Sequence, residues 1–362
     1  LALLGELDAL RIPEHAFANP ETNAAHCCGH HAQMAGVFGA ALALTVPEIA
    51  EKLDGQVVFF ATPAEEYGEI EFKNQLREQG KIRYGGGKCE LLRIGAFDDI
   101  DLCLTHHIRP GNEILVGSGT GNGFVSKVIR VLGKASHAAG APEKGVNALS
   151  AASLGLQALG LNRETFRDED CVRVHPIITK GGNLVNVIPD EVVVETLVRG
   201  KTIEAFTDAA KKTDRSFKAG AIAMGAKVEI STLPGYLPTL AEEALPELKH
   251  AAEISASGIP VIEASGHAGG STDVGDVQHL MPVYTFNTGG VKGGLHQIDF
   301  EVTDEEEAYI VTAKMFALAA YGLLKEKAQR SRELVDQYEP VFKNSAEYVE
   351  FMEQFDSKEI FE

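Results

Sequence analysis

The chain has 362 residues, 44% of them hydrophobic and 23% charged, with a formal net charge of -19 at pH 7. That length exceeds the size at which a single core keeps growing and implies two domains of an ordinary globular protein. The acidic balance and the lack of a polybasic block exclude nucleic acid and membrane surfaces as partners, and no apolar run reads as a bilayer span.

In chain order, Cys28-Gly29-His30 opens an Ala-rich apolar stretch over 32–46, closed by Pro47, which reads as a buried helix. The run QVVFFA at 56–61 has the character of a buried parallel strand, and Thr62-Pro63-Ala64-Glu65-Glu66 follows it. A second short strand is expected over 100–104, with His106 and His107 just beyond its end. Positions past strand ends are where open α/β sheets place their sites. The glycine-rich run 117–123 reads as a hinge and fits neither a dinucleotide nor a P-loop spacing.

Beyond it the rhythm changes. A strand over 124–132, a helix over 146–161, strands over 172–179 and 191–199, a helix over 203–226 and a strand over 227–232 give the ferredoxin-like order β-α-β-β-α-β. After Pro238 the α/β pattern resumes, with a helix around 241–257 and strands at 259–263 and 282–287. Thr303 with Glu306 has a capping-box signature opening a long helix to about residue 325. The expected organisation is a catalytic domain in two parts, 1–117 and 236–325, an inserted domain over 118–235, and a charged, helical C-terminal tail over 326–362.

The residues that carry chemistry are scattered among these segments. A thiolate (Cys28), imidazoles (His30, His107, His296) and paired carboxylates (Glu65, Glu66) are the ligand types of a borderline divalent cation such as zinc. Two adjacent glutamates suggest a division of labour, one on metal and one free as a base. Alternation along the strand leaves one of His106 and His107 facing the site, and His107 keeps the better register. Cys27 reads as structural and His31 as a helix-surface residue. Arg199, on an otherwise apolar strand, could pair with a carboxylate of the protein or clamp one on a substrate. Ser271-Thr272-Asp273 could cap a helix or touch substrate.

Taken together, GELDAL (5–10), CCGHHAQMAG (27–36), FFATPAEE (59–66), HHIRPG (106–111), GKASHAA (133–139), NVIPD (186–190) with Arg199, GGSTDVGDV (269–277) and GLHQIDF (294–300) resemble peptidase family M20. Within that metallopeptidase family they resemble the amidohydrolase branch, which contains aminoacylase-like and aminobenzoyl-glutamate hydrolases. The resemblance implies a zinc-peptidase-like α/β catalytic domain with an inserted ferredoxin-like α+β lid that also dimerises. It implies two divalent metal ions, zinc or manganese, held by Cys28, His30, Glu66, His107 and His296. Glu65 would be the general base and Asp8 the carboxylate beside the metals. His137 would serve the partner subunit's site, and Asn186 and Arg199 would bind the substrate carboxylate. Where branch members often carry a second histidine, this chain has Gln33, which is not counted as a ligand. A charged insertion over 68–88 follows the glutamate pair and has no assigned role.

The expected activity is therefore hydrolysis of an amide bond in an N-acyl amino acid or dipeptide with a free carboxylate, by metal-activated water. A non-catalytic metal-binding dimer using the same cleft is the alternative, and the retained free base argues against it. A cysteine hydrolase using Cys28 with His30 ranks lower, since no oxyanion element is evident. An odd cysteine count without a secreted-framework spacing points to a reducing compartment, hence the cytoplasm. Leu1 lies directly inside an apolar run, which implies a preceding segment in which any targeting peptide would lie.

Overall fold

The computed structural model describes residues 1–256 and 258–362. Its central sheet has six strands in the order Val261–Glu263, Ile114–Val116, Val283–Thr288, Cys103–Ile108, Ala2–Glu6 and Val58–Thr62. The last four run parallel, while Ile114–Val116 lies antiparallel to Val283–Thr288. Parallel strands end on the same edge, so whatever follows Glu6, Thr62 and Ile108 is gathered at one rim of the sheet. The helix His30–Leu44 packs against the long helical run Thr312–Gln337, which is broken by non-helical backbone at Lys325, Glu326, Lys327 and Ala328. Val37, Ala40 and Leu44 meet Met315, Phe316, Ala319 and Leu323 in a core that also takes Leu3 and Leu104 from the sheet.

The inserted ferredoxin-like domain is an antiparallel sheet in the order Ile177–Lys180, Glu191–Gly200, Gly123–Leu132, Lys227–Tyr236 and Ser357–Phe361. Helices Ala148–Asn162 and Ile203–Met224 cover one face through Ala152, Leu159, Phe206 and Phe217. The other face places Phe124, Val128, Leu233 and Tyr236 in a second core shared with Tyr67, Ile70 and Tyr84 of the catalytic domain. Alternation along the strands, with apolar residues toward both layers, is what lets one sheet serve two cores.

Several elements differ from the sequence expectation. The strand expected over 100–104 is Cys103–Ile108, so both histidines lie within it rather than beyond it. At the head of the long helical run Asp304 Oδ1 accepts from Glu307 N at 3.1 Å, while Thr303 Oγ1 donates to Gly290 O and caps nothing. The stretch Glu306–Gln337 would pass for a membrane span by length and composition, contrary to the expectation of no such run. Its apolar face fills the core instead. The tail is helical at Ser345–Glu353 but ends as the strand Ser357–Phe361, which pairs with the lid strand Lys227–Tyr236 and covers that edge. The charged insertion forms the helix Ile70–Glu78 and the start of the helix Gly87–Arg93. Arg77 and Arg83 both pair with Asp356, at 2.8 and 2.9 Å, and tie the insertion to the tail.

Candidate metal centre and cleft

The site is assembled at the rim of the parallel sheet. Cys28 and His30 flank the start of the first long helix, with Gly29 at a φ of 84°. A side chain at Gly29 would meet Ile108 Cγ2 at 2.0 Å, so this close approach requires glycine. Glu65 and Glu66 follow the strand Val58–Thr62 through Ala64 (φ 56°), and His296 itself has a φ of 63°. Two non-glycine residues in the left-handed region cost on the order of 1 kcal/mol each, and such strain clusters where side chains are aimed for function. Gly87 packs directly under this turn: its N–H donates to Ala64 O at 2.9 Å, and an added Cβ would fall 1.5 Å from Pro63 O.

Around Cys28 the ligand-type atoms converge. His107 Nε2 lies 3.4 Å and His296 Nε2 3.2 Å from Cys28 Sγ, and His296 Nε2 is 3.0 Å from Glu66 Oε1. His107 is half-buried, and desolvation pushes its pKa down, keeping the imidazole neutral. Its Nδ1 hydrogen-bonds Ile108 O at 2.7 Å, which leaves the Nε2 lone pair facing the cluster. His30 is oriented the same way: Nδ1 contacts Asp8 O at 3.0 Å and Asp8 Oδ1 at 3.3 Å. Its buried Nε2 makes no hydrogen bond but lies 3.2 Å from Glu6 Oε2.

Burial alone would raise the Asp8 carboxyl, but the hydrogen bond from His30 and the backbone N–H of Glu66, at 2.8 Å, hold it well below the usual range. Asp8 is thus an ionised anchor for His30. His106 points to the opposite face, where it hydrogen-bonds Thr288 Oγ1 at 2.8 Å and packs at an angle against Phe286 and edge-on to Phe316.

Burial, then the charges of Glu66 and Glu65, push the Cys28 thiol far up. A thiolate in this pocket therefore needs a cation to stabilise it. Two overlapping trios, Cys28 with His30 and His107, and Cys28 with Glu66 and His296, each place their ligand atoms within 4.8 Å of one another. The buried His30 Nε2 and Glu66 Oε1 lack hydrogen bonds. Nitrogen, sulfur and oxygen donors converging in a carboxylate-rich pocket fit a borderline divalent cation.

Glu65 joins two further groups, with His30 and Glu66 and with Glu6 and Asp273, whose ligand-type atoms also lie within 4.8 Å of one another. Its carboxyl is pushed well above the usual range by burial, then by the charges of Glu6 and Asp273, with Lys88 opposing. Lys88, fully buried, lies 2.5 Å from Glu6 Oε1 and 2.6 Å from Asp273 Oδ1, and its backbone N–H also donates to Asp273. Sequence reasoning missed Glu6 and Lys88. The signals available were the spacing of Glu6 two residues before Asp8, on the same face of the chain, and one lysine directly after three glycines in the insertion. Asp273 is spent on Lys88 and makes no side-chain cap for the short helix Val274–Gln278.

Gln33 is a brace and not a ligand: Oε1 accepts from Glu6 N at 2.8 Å and Nε2 donates to His106 O at 2.5 Å, joining two strand ends. Cys27 is buried with Ile108 and Phe300. His31 is half-buried beside His26 and Tyr309, so it is less exposed than a surface position.

Arg199 reaches the cleft from the lid. Its Nη1 donates to Ser271 Oγ at 2.8 Å, and it lines a cavity with Glu65 and Glu66. His137 and Asn186 lie elsewhere. Ala138 N donates to Asn186 O at 2.9 Å, and His137 bridges Val187 at the far end of the strand Glu191–Gly200. At about 3.3 Å per residue the strand carries Glu191 roughly 25 Å from Arg199, and Asn186 precedes Glu191. Within one subunit the structure does not bring Asn186 and Arg199 together.

The chain is 28% identical over 311 residues to the Xaa-Arg dipeptidase of Mus musculus, an alignment covering 84% of this chain and 64% of that protein. It therefore spans just under two thirds of that relative's length. It is 25% identical over 344 residues to the N-acetyl-L-cysteine deacetylase of Bacillus subtilis (strain 168), covering 92% of this chain and 76% of the relative. Its fold is shared with a crystal structure described as a dinuclear metal binding peptidase from Bacillus subtilis, at 24% identity and a TM-score of 0.59, over 90% of this chain and 81% of that one. The sequence profile of peptidase family M20/M25/M40 matches residues 2–321, and the chain belongs to that family.

Proposed function

We propose that the protein hydrolyses the amide bond of an N-acyl amino acid or dipeptide bearing a free carboxylate. The observation that carries this reading is the convergence of Cys28, His30, Glu66, His107 and His296 beside Glu65, which is in neither of the Cys28 trios and groups with Glu6 and Asp273 as well as with His30 and Glu66. The five would hold two divalent cations, zinc or manganese. When bound, such ions lower the pKa of water and polarise a carbonyl. Glu65, its carboxyl raised in its buried setting, takes the proton of the attacking water and returns it to the leaving nitrogen. Asp8 fixes the tautomer of His30. Arg199 binds the substrate carboxylate from the lid.

Because His137 and Asn186 stand at the far end of the lid, they act in the partner subunit of a homodimer. The exposed edge strand Ile177–Lys180, with Leu184 and Val185 exposed beyond it, supports pairing through the lid. The named relatives are a dipeptidase and a deacetylase of an N-acetyl amino acid, which supports the substrate class. Five unpaired thiols support a reducing, cytoplasmic setting.

The deciding experiment strips the protein with a chelator, restores zinc or manganese, and screens N-acyl amino acids and dipeptides against their carboxamide counterparts. Activity lost to chelation, restored by metal and weak on carboxamides fits the proposal. Hydrolysis that is indifferent to chelation would refute it.

A further inference from the structure

Two cavities diverge from the glutamate pair and differ in charge. The larger, about 560 Å³, runs past Ser118, Gly119, Ala264 and Ala268, and its only lysine, arginine or acidic lining residues are Glu6, Glu65 and Glu66 at the metal-binding end. The smaller, about 440 Å³, opens toward the lid, where Arg173, His175 and Arg199 form its wall. Arg173 and Arg199 are directly opposite one another on adjacent antiparallel strands. Like charges in that position are destabilising. Arg173 donates to Val172 O, and Arg199 to Ser271 and His175. Among the described residues neither guanidinium has a carboxylate within 4.0 Å, although the chain carries 52 acidic residues. His175, two residues from Arg173 and so on the same face, accepts from Arg199 Nε at 3.3 Å and fixes the fork.

We propose that this cationic wall binds a second carboxylate, so that the amino acid released is aspartate or glutamate, with a neutral acyl group in the larger cavity. The inference rests on the amide hydrolysis proposed above and adds the substrate class. Arg199, held against Ser271, takes the α-carboxylate, and Arg173 takes the side-chain carboxylate. The unfavourable arginine pair is then relieved by the dianion between them. A lysine or arginine side chain at the same place meets two guanidinium groups and is rejected.

The test compares kcat/KM for N-acetylglutamate, N-acetylglutamine and N-acetylarginine in the metal-reconstituted protein. Glutamate and glutamine substrates differ only in the charge. The expected preference for glutamate over glutamine is at least ~10-fold, with arginine poorest. Arg173→Gln, at an exposed side chain, should bring the glutamate-to-glutamine ratio close to one, and glutarate should lose its advantage over butyrate as an inhibitor. Equal turnover of the glutamate and glutamine substrates, a preference for arginine, or an Arg173→Gln variant that lowers both substrates alike overturns this inference and leaves the hydrolase reading standing. Absence of hydrolysis of every N-acyl amino acid and dipeptide overturns both.

Discussion

Replacing Lys88 by methionine removes one positive charge from a fully buried position while keeping the length of the side chain. Its ammonium lies 2.5 Å from Glu6 Oε1 and 2.6 Å from Asp273 Oδ1, both buried, and Glu65 stands close enough for its carboxyl to be affected. Asp273 is fully buried and Glu6 almost so, and the variant must either leave these carboxylates uncompensated or protonate them. Removing one partner of a buried pair costs ~3–5 kcal/mol, a large part of the ~5–15 kcal/mol that holds a typical domain folded.

Urea unfolding of the chelated protein isolates the effect from any bound cation, and the expected result is a fall in midpoint corresponding to that loss. The double variant Lys88→Met with Asp273→Asn removes one orphaned charge and should recover part of it. A single variant within ~1 kcal/mol of the parent, or a double variant whose loss is simply the sum of the two, would refute the account of Lys88 as the counter-charge of this cluster.

Glu65→Gln should retain metal and lose at least ~100-fold in kcat, whereas Glu66→Ala should lose metal by elemental analysis; the reverse pattern exchanges their roles. Mixing inactive His137→Ala and Glu65→Gln proteins should restore activity on subunit exchange, because one site of the mixed dimer keeps both wild-type groups. Confirmed heterodimers without activity would rule out action across the interface. Asp276 is fully buried, and burial pushes its carboxyl up to about 8, while a hydrogen bond from Tyr348 Oη at 2.8 Å opposes the shift. The raised folded-state value means stability is fully present near pH 4 and is lost as pH rises toward 8, at up to ~1.4 kcal/mol per pH unit. Asp276→Asn keeps an acceptor for Tyr348 and should flatten that slope in urea midpoints measured from pH 5 to 8. A wild-type-minus-variant difference constant with pH would sink the idea.

The sequence by itself determined which chemistry is available and roughly where it lies. A short apolar run ending at Thr62 before Glu65-Glu66, a second ending in His106-His107, and Cys28-Gly29-His30 at the head of an Ala-rich helix are local patterns. Parallel strands carry their ends to one rim whatever else the chain does. Alternation separated His107 from His106 for the same local reason, since successive side chains on a strand face opposite ways.

Tertiary structure decided what depends on packing between distant segments. Lys88 and Asp273 are 185 residues apart, and no periodicity relates them. Gln33 looks like a lost ligand in sequence and becomes a brace only because two strand ends arrive beside it. The tail becomes a strand because the lid offers a free edge along Lys227–Tyr236. Arg173 and Arg199 become neighbours only through strand register. The same register carries His137 and Asn186 to the far end of the lid, since a ten-residue strand is stiff and long, and its two ends cannot meet in one site.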